Sequence, residues 1–258
     1  MRVYRGRADS IEADRAVTDR LVDRVATSGG TGDSTSTDRE PAVRVWRPHR
    51  LVAFGHRDAT DEGYDRAREA ARERGFPSVE RDAGGRAVAY TGSTVAFVRA
   101  TPVDGPRGDI TARYDAAIAD LRGALAELGV DATEGEPRDS FCPGSHSLQA
   151  DCGGRDRRER KFAGLAQRVR TDVAVVAGVL VVRDHAEIAD VLDPVYDALD
   201  VGFDPKTVGS VELAGGDSDT ERVVQAVEDA LVGDESVGPV EDEPVNFDDD
   251  ESVDVERA

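Results

Sequence analysis

The chain has 258 residues, 53 of them Asp or Glu against 33 Lys or Arg, for a formal net charge of −20 and a pI near 4.6. That balance argues against an electrostatic grip on DNA, RNA or an anionic membrane, each of which calls for a basic face. Only Lys161 and Lys206 are lysines, the other 31 basic residues being arginine, and such an acidic surface suits a halophile, where concentrated salt screens self-repulsion.

Two cysteines make no disulfide framework, and "MRVYRGRADSIEADRAV" has no apolar signal core. The longest apolar run, "VAVVAGVLVV", is half the roughly twenty residues of a membrane span, so a soluble cytoplasmic protein is expected. Ser10 is set to cap a helix over "IEADRAVTDRLVDRVA", with Ala13, Val17, Leu21 and Val25 on one face. A polar, Gly-rich loop "TSGGTGDSTSTDREP" follows, then short strands "AVRVWRP" and "LVAFG". "DEGYDRAREAARERG" predicts a helix closed by Gly75, and "FPSVERDAGGRAVAYTGSTVAFVRA" reads as a three-strand meander with glycine turns rather than a βαβ unit.

Ile118, Leu121, Leu125 and Leu128 mark the core stripe of a helix from about Thr111 to Gly129. The next stretch, "VDATEGEPRDSFCPGSHSLQADCGGRDRRER", reads as irregular, and "KFAGLAQRV" and "VAVVAGVLVV" as strands. Short helices around His185 to Leu192 and Thr220 to Leu231 precede an acidic segment, 233–258, expected to be a disordered tail. Residues 1–232 then form one α+β domain with a mixed, largely antiparallel sheet. No dinucleotide fingerprint or Walker loop is present, because the "DAGGRAV" glycines do not open a helix.

Chemistry concentrates in the irregular stretch. Pro143 and Gly144 shape a turn that presents Cys142 either as a nucleophile or as a small buried hydrophobe. His146 is a possible base or a solvated loop histidine. Cys142, His146 and Cys152 offer only three zinc ligands and lack paired C-x2-C knuckles, so no metal is assigned. Cys152 reads as incidental, at a hairpin tip. Lys161, in a chain that otherwise uses arginine, is either retained for chemistry that needs a compact ammonium or a chance survivor, as Lys206 is taken to be. Arg81, Gly84 and Gly85 read as a charge and a turn, or as a close approach to a ligand.

In chain order, "ERDAGGRAVAYTGSTVAF", "SFCPGSHSL" and "KFAGLAQR" resemble three blocks of the lipoate attachment family, which joins lipoate ligases, octanoyltransferases and, more distantly, biotin ligases. The cysteine block, with Cys142 nineteen residues before Lys161, is similar to the cysteine-dependent octanoyl/lipoyl amidotransferase branch. Glu80 stands where relatives often carry a second arginine, and Tyr90 where many ligases carry histidine. The resemblance covers about Ile11 to Tyr196.

The resemblance implies a biotin/lipoate-ligase-like catalytic domain in which Arg81, Gly84, Gly85 and Gly164 line an acyl tunnel. Burial of the chain would contribute about 0.8 kcal/mol per CH2. It further implies that Lys161 holds the acyl carbonyl and favours the Cys142 thiolate, and that Cys142 forms an acyl-thioester. The implied partners are lipoyl-domain proteins: the glycine cleavage H protein as acyl carrier, and 2-oxoacid dehydrogenase acyltransferase subunits. The octanoyl or lipoyl group is the substrate and no cofactor is required. An ATP- and Mg-dependent lipoate ligase is the alternative, and a non-catalytic acyl- or lipoyl-domain-binding module a third reading, disfavoured by the presence of both Cys142 and Lys161. The charge alone gives one expectation: the midpoint of thermal unfolding rises as KCl is taken from dilute buffer to about molar, because screening relieves repulsion.

Overall fold

The computed structural model describes residues 1–27, 39–81, 84–105, 110–153, 158–233 and 240–241. In chain order the strands are β1 Arg2–Tyr4, β2 Ala42–Trp46, β3 Leu51–Phe54, β4 Ser78–Glu80, β5 Val88–Tyr90, β6 Thr94–Pro102, β7 Thr133–Glu134, β8 Ser147–Asp151, β9 Glu159–Val169, β10 Val173–Val181 and β11 Val240–Glu241. The helices are α1 Ile11–Thr27, α2 His56–Ala59, α3 Tyr64–Glu73, α4 Ile110–Glu127, α5 His185–Ala198 and α6 Thr220–Val232.

The strands form a large sheet, ordered β11-β1-β2-β6-β10-β9-β8-β7, and a small one, β4-β3-β5. Only the β11-β1-β2 edge of the large sheet is parallel, so the expected mixed, largely antiparallel α+β architecture is present. Alternation along each strand separates the faces of the large sheet. One face buries Val43, Val45, Val95, Phe97, Val176 and Leu180 in the main core with Ile118, Leu121 and Leu125 of α4 and Val223 and Val227 of α6. The other packs Val98, Ala100 and Val173 against Leu21, Val22 and Val25 of α1. The expected Ser10 cap is made, Oγ accepting from Ala13 N at 3.1 Å.

Three expectations are corrected. The segment after Phe76 is not a meander: β3 pairs in parallel with β4 across α2 and α3, a βαβ unit, while β5 pairs antiparallel on the other side of β3. Parallel pairing is non-local, and the glycines at 84 and 85 only mimic a hairpin turn. Within the stretch read as irregular, β8 pairs along β9 through a register shift at Leu148 and Gln149, its polar composition hiding the strand. The helix expected to stop near Leu192 runs on to Ala198 through Pro194. Proline removes the N–H that would bond the Asp190 carbonyl, and Arg74 Nε donates to that carbonyl instead, at 3.0 Å.

Most of the Gly-rich loop (28–38), the hairpin tip (154–157) and most of the acidic segment lie outside the described residues; β11, within that segment, pairs with β1. Among the described residues no helix is long and apolar enough to cross a membrane.

Gly178 of β10 lies opposite Phe97 of β6, whose ring covers it so closely that an added Cβ would sit 2.3 Å from the ring. Gly178→Ala is therefore expected to destabilise by about 1–3 kcal/mol, because the buried Phe97 ring must move, and chemical denaturation would measure the loss.

Candidate active site

Between α1, the large sheet and the small sheet lies a cavity of about 650 Å³, within the usual range of small-molecule sites. Its floor follows from register. Trp46, Ala96, Val179 and Gly164 pair in one row across β2, β6, β10 and β9, and Val98, Ala177 and Ala166 form the next row on the same face. These side chains are mostly small, so the sheet leaves a trough, which crosses three inter-strand spacings or about 14 Å. The roof is the facing side of the small sheet: Leu51, Ala53, Val79, Val88 and Tyr90. An apolar trough of this shape fits a narrow linear ligand.

Arg81, Gly84, Gly85, Cys142, Lys161 and Gly164, the six residues that the family resemblance picks out, line the same cavity. Cys142 is half-buried and has φ +40°, a conformation that costs a residue with a side chain some strain. Its sulfur lies against Gly85, where an added Cβ would sit 2.7 Å from Sγ, at φ +96°. Only glycine allows this approach. Arg81 Nη2 donates to Cys142 Sγ at 3.4 Å and to the Arg86 carbonyl at 2.7 Å. Arg86 is held in turn by buried Asp58, which accepts from Arg86 Nη1 at 2.9 Å.

Lys161 reaches into the cysteine loop. It is fully buried, and Nζ donates to Glu136 Oε2 (2.7 Å), the Phe141 carbonyl (2.9 Å) and the Cys142 carbonyl (2.7 Å). An ammonium has three N–H donors, and all three are used on the cysteine loop. The cation in contact with the sulfur is Arg81, not Lys161. The ion pair joins a fully buried ammonium to a partly exposed carboxylate, so removing the carboxylate would leave a buried charge short of its counter-ion.

Two residues of the site carried no sequence signal. Glu136 also accepts from Gly144 N at 3.0 Å and Ser147 Oγ at 2.8 Å. Tyr196 of α5, wholly buried, accepts from Cys142 N at 2.6 Å and donates to the Ala87 carbonyl at 2.9 Å, tying the cysteine loop to the glycine loop. Burial, with Cys142 beside it, pushes the Tyr196 phenol well above its ordinary range, so it stays a hydroxyl able to do both.

The His146 ring stacks on Tyr114 of α4 with centroids 3.5 Å apart. Cys152 is buried off the cavity, and burial pushes its thiol up, away from the reactive thiolate. Lys206 is exposed, in the short turn Pro205–Thr207.

This two-sheet α+β architecture is shared with lipoate-protein ligases. A lipoate-protein ligase A bound with ATP superposes with a TM-score of 0.63 at 19% identity, covering 90% of this chain and 83% of that one. A putative lipoate protein ligase of T. acidophilum with bound lipoic acid gives 0.59 at 18% identity, over 90% and 83% of the two chains. Residues 19–232 match the lipoyl protein ligase A/B catalytic domain, and the chain belongs to that family. An octanoyl-[GcvH]:protein N-octanoyltransferase of Exiguobacterium sibiricum is 30% identical over 221 residues, 84% of this chain and 74% of the relative. A protein of the same name from Geobacillus kaustophilus is 31% identical over 176 residues, 68% and 58% of the two chains.

Tyr196→Phe keeps the ring and deletes the hydroxyl, leaving Cys142 N and the Ala87 carbonyl without their partner. We expect a loss of about 1–3 kcal/mol in stability, measured by denaturant titration.

Proposed function

We propose that this protein is an octanoyl- or lipoyl-protein transferase that carries the acyl group as a thioester on Cys142. The observation that carries the reading is the position of Cys142: its sulfur stands at the end of an apolar trough, against Arg81 and Gly85. The relatives' shared name, which pairs octanoyl-[GcvH] with protein, supports the same reaction.

In the proposed reaction the trough buries the acyl chain, each CH2 contributing about 0.8 kcal/mol. Gly84, Gly85 and Gly164 line its reactive end, and Arg81 faces the sulfur. The Cys142 thiolate attacks the carbonyl of an acyl-lysine amide on the carrier. The S–C bond forms, the C–N bond breaks, and the carrier's amine leaves with a proton. The ε-amine of a lipoyl-domain lysine then attacks the thioester, loses its proton, and releases the thiolate. One amide is exchanged for another, so no ATP is consumed and no cofactor is required. Lys161 serves by holding the Phe141 and Cys142 carbonyls, which fixes the sulfur. Glycine cleavage H protein is the proposed acyl carrier, and the lipoyl domains of 2-oxoacid dehydrogenase acyltransferase subunits are the proposed acceptors.

Incubated with an octanoylated carrier and no acceptor, the protein should gain one octanoyl group, and peptide mass mapping should place it on Cys142 rather than Cys152. Cys142→Ser should lower transfer by on the order of a thousandfold or more, because the hydroxyl is a poor nucleophile without a strong base. Octanoate binding should persist. Transfer by the serine variant at wild-type rate, or a requirement for ATP and free lipoate, would replace this reading with the ligase.

A further inference from the structure

The cysteine loop has few hydrogen bonds of its own, yet it holds Cys142 at φ +40° and Asp139 at φ +57°. Something outside the loop must fix that shape. Tyr196 fixes the Cys142 amide and Lys161 the two carbonyls before Pro143. The far side of the turn depends on Glu136. Its carboxylate, six residues before Cys142, accepts from Gly144 N two residues beyond it, at 3.0 and 3.2 Å to the two oxygens. Oε2 also accepts from Ser147 Oγ at the start of β8 and from Lys161 Nζ on β9. One carboxylate thus spans the turn like a chord, anchors it to two strands, and supplies the counter-charge of a buried ammonium. A neutral group cannot do all three. Lys161 and Gly144 present only donors to this position, so an amide in place of the carboxylate would turn its own N–H toward one of them.

From this arrangement we infer that Glu136 is a positioning residue for Cys142, acting through Lys161 and the Gly144 amide to aim the sulfur at the acyl carbonyl. The inference rests on the proposed role of Cys142. A carboxylate that only stabilised the fold would affect binding and catalysis together; one that aims the sulfur affects the chemical step most, since its hydrogen-bond partners are Gly144, Ser147 and Lys161 and none of the floor and roof residues.

The test compares Glu136→Gln and Glu136→Asp with the wild-type protein in three measurements: the rate of acyl-Cys142 formation from an octanoylated carrier, octanoate binding, and amide exchange of peptides covering the cysteine loop. Glu136→Gln should acylate about ten- to a hundredfold more slowly, with octanoate affinity within about threefold of wild type. Exchange in the loop should quicken about tenfold while the β6 and β10 peptides stay protected. Glu136→Asp keeps the charge and should recover part of the rate. Amide exchange needs no acyl donor, so it judges Glu136 even if no thioester forms in the wild type, which would sink the functional reading instead. Should Glu136→Gln fail to fold, Ser147→Ala, which removes a single contact of the carboxylate, should still slow acylation several-fold. Wild-type acylation and exchange in Glu136→Gln, equal losses in the Gln and Asp variants, or an affinity loss as large as the rate loss would each overturn the inference.

Discussion

A single buried ammonium organises the cysteine end of the cavity. Lys161 is placed on β9, in the middle of a sheet, where no water can solvate its charge. Such a group is tolerated only if every donor is matched, and the three acceptors available are two consecutive carbonyls of the cysteine loop and the Glu136 carboxylate. The cost of leaving any of them unpaired selects one loop conformation. A guanidinium cannot replace it, since its planar fork does not converge three donors on acceptors disposed around one nitrogen. This explains in physical terms why a chain that uses arginine nearly everywhere keeps a lysine here.

Around that anchor the fold builds a trough by subtraction. Ala96, Gly164, Ala166 and Ala177 sit on one face of the large sheet, where larger residues would have met the roof. On the opposite face the same strands carry Phe97 and Leu180 into a dense core. The period-two alternation of a strand therefore does two jobs at once: one parity fills the interior, the other leaves space. The glycine loop is pinned to the small sheet as well, for Gly55 after β3 packs so close to Gly85 that a Cβ there would fall 2.0 Å from the Gly85 carbonyl oxygen. Two glycines at that crossing let the roof reach the sulfur.

Much of this was legible in the sequence because it is local. The Ser10 cap, the stripe through Ile118, Leu121 and Leu125, and the apolar run from Val173 to Val181 declare their elements by spacing alone. The cavity residues Arg81, Gly85, Cys142 and Lys161 were legible through the order of their motifs, not through any local signal that would bring them together. What escaped was non-local. The β3 and β4 pairing is made across two helices, β8 is too polar to stand out, and where α5 passes its proline the freed Asp190 carbonyl is taken by Arg74, the residue that ends α3. Glu136 and Tyr196 lie among acids and apolar helix residues that look like any others. Their importance comes from a partner 25 residues away in one case and 54 in the other.

The scarcity of lysine bears on the proposed acyl-thioester. An acyl-thioester is open to attack by any neutral amine that reaches it, including amines on the same surface, whereas a guanidinium does not compete. Of the two lysines, Lys161 is sealed with its donors engaged, so Lys206 is the one solvent-exposed ε-amine of the chain. With Cys142 acylated as proposed, the protein offers its own cargo almost nothing to label. The near absence of lysine would thereby guard against self-modification, and leave the acyl group for an amine that arrives on another protein.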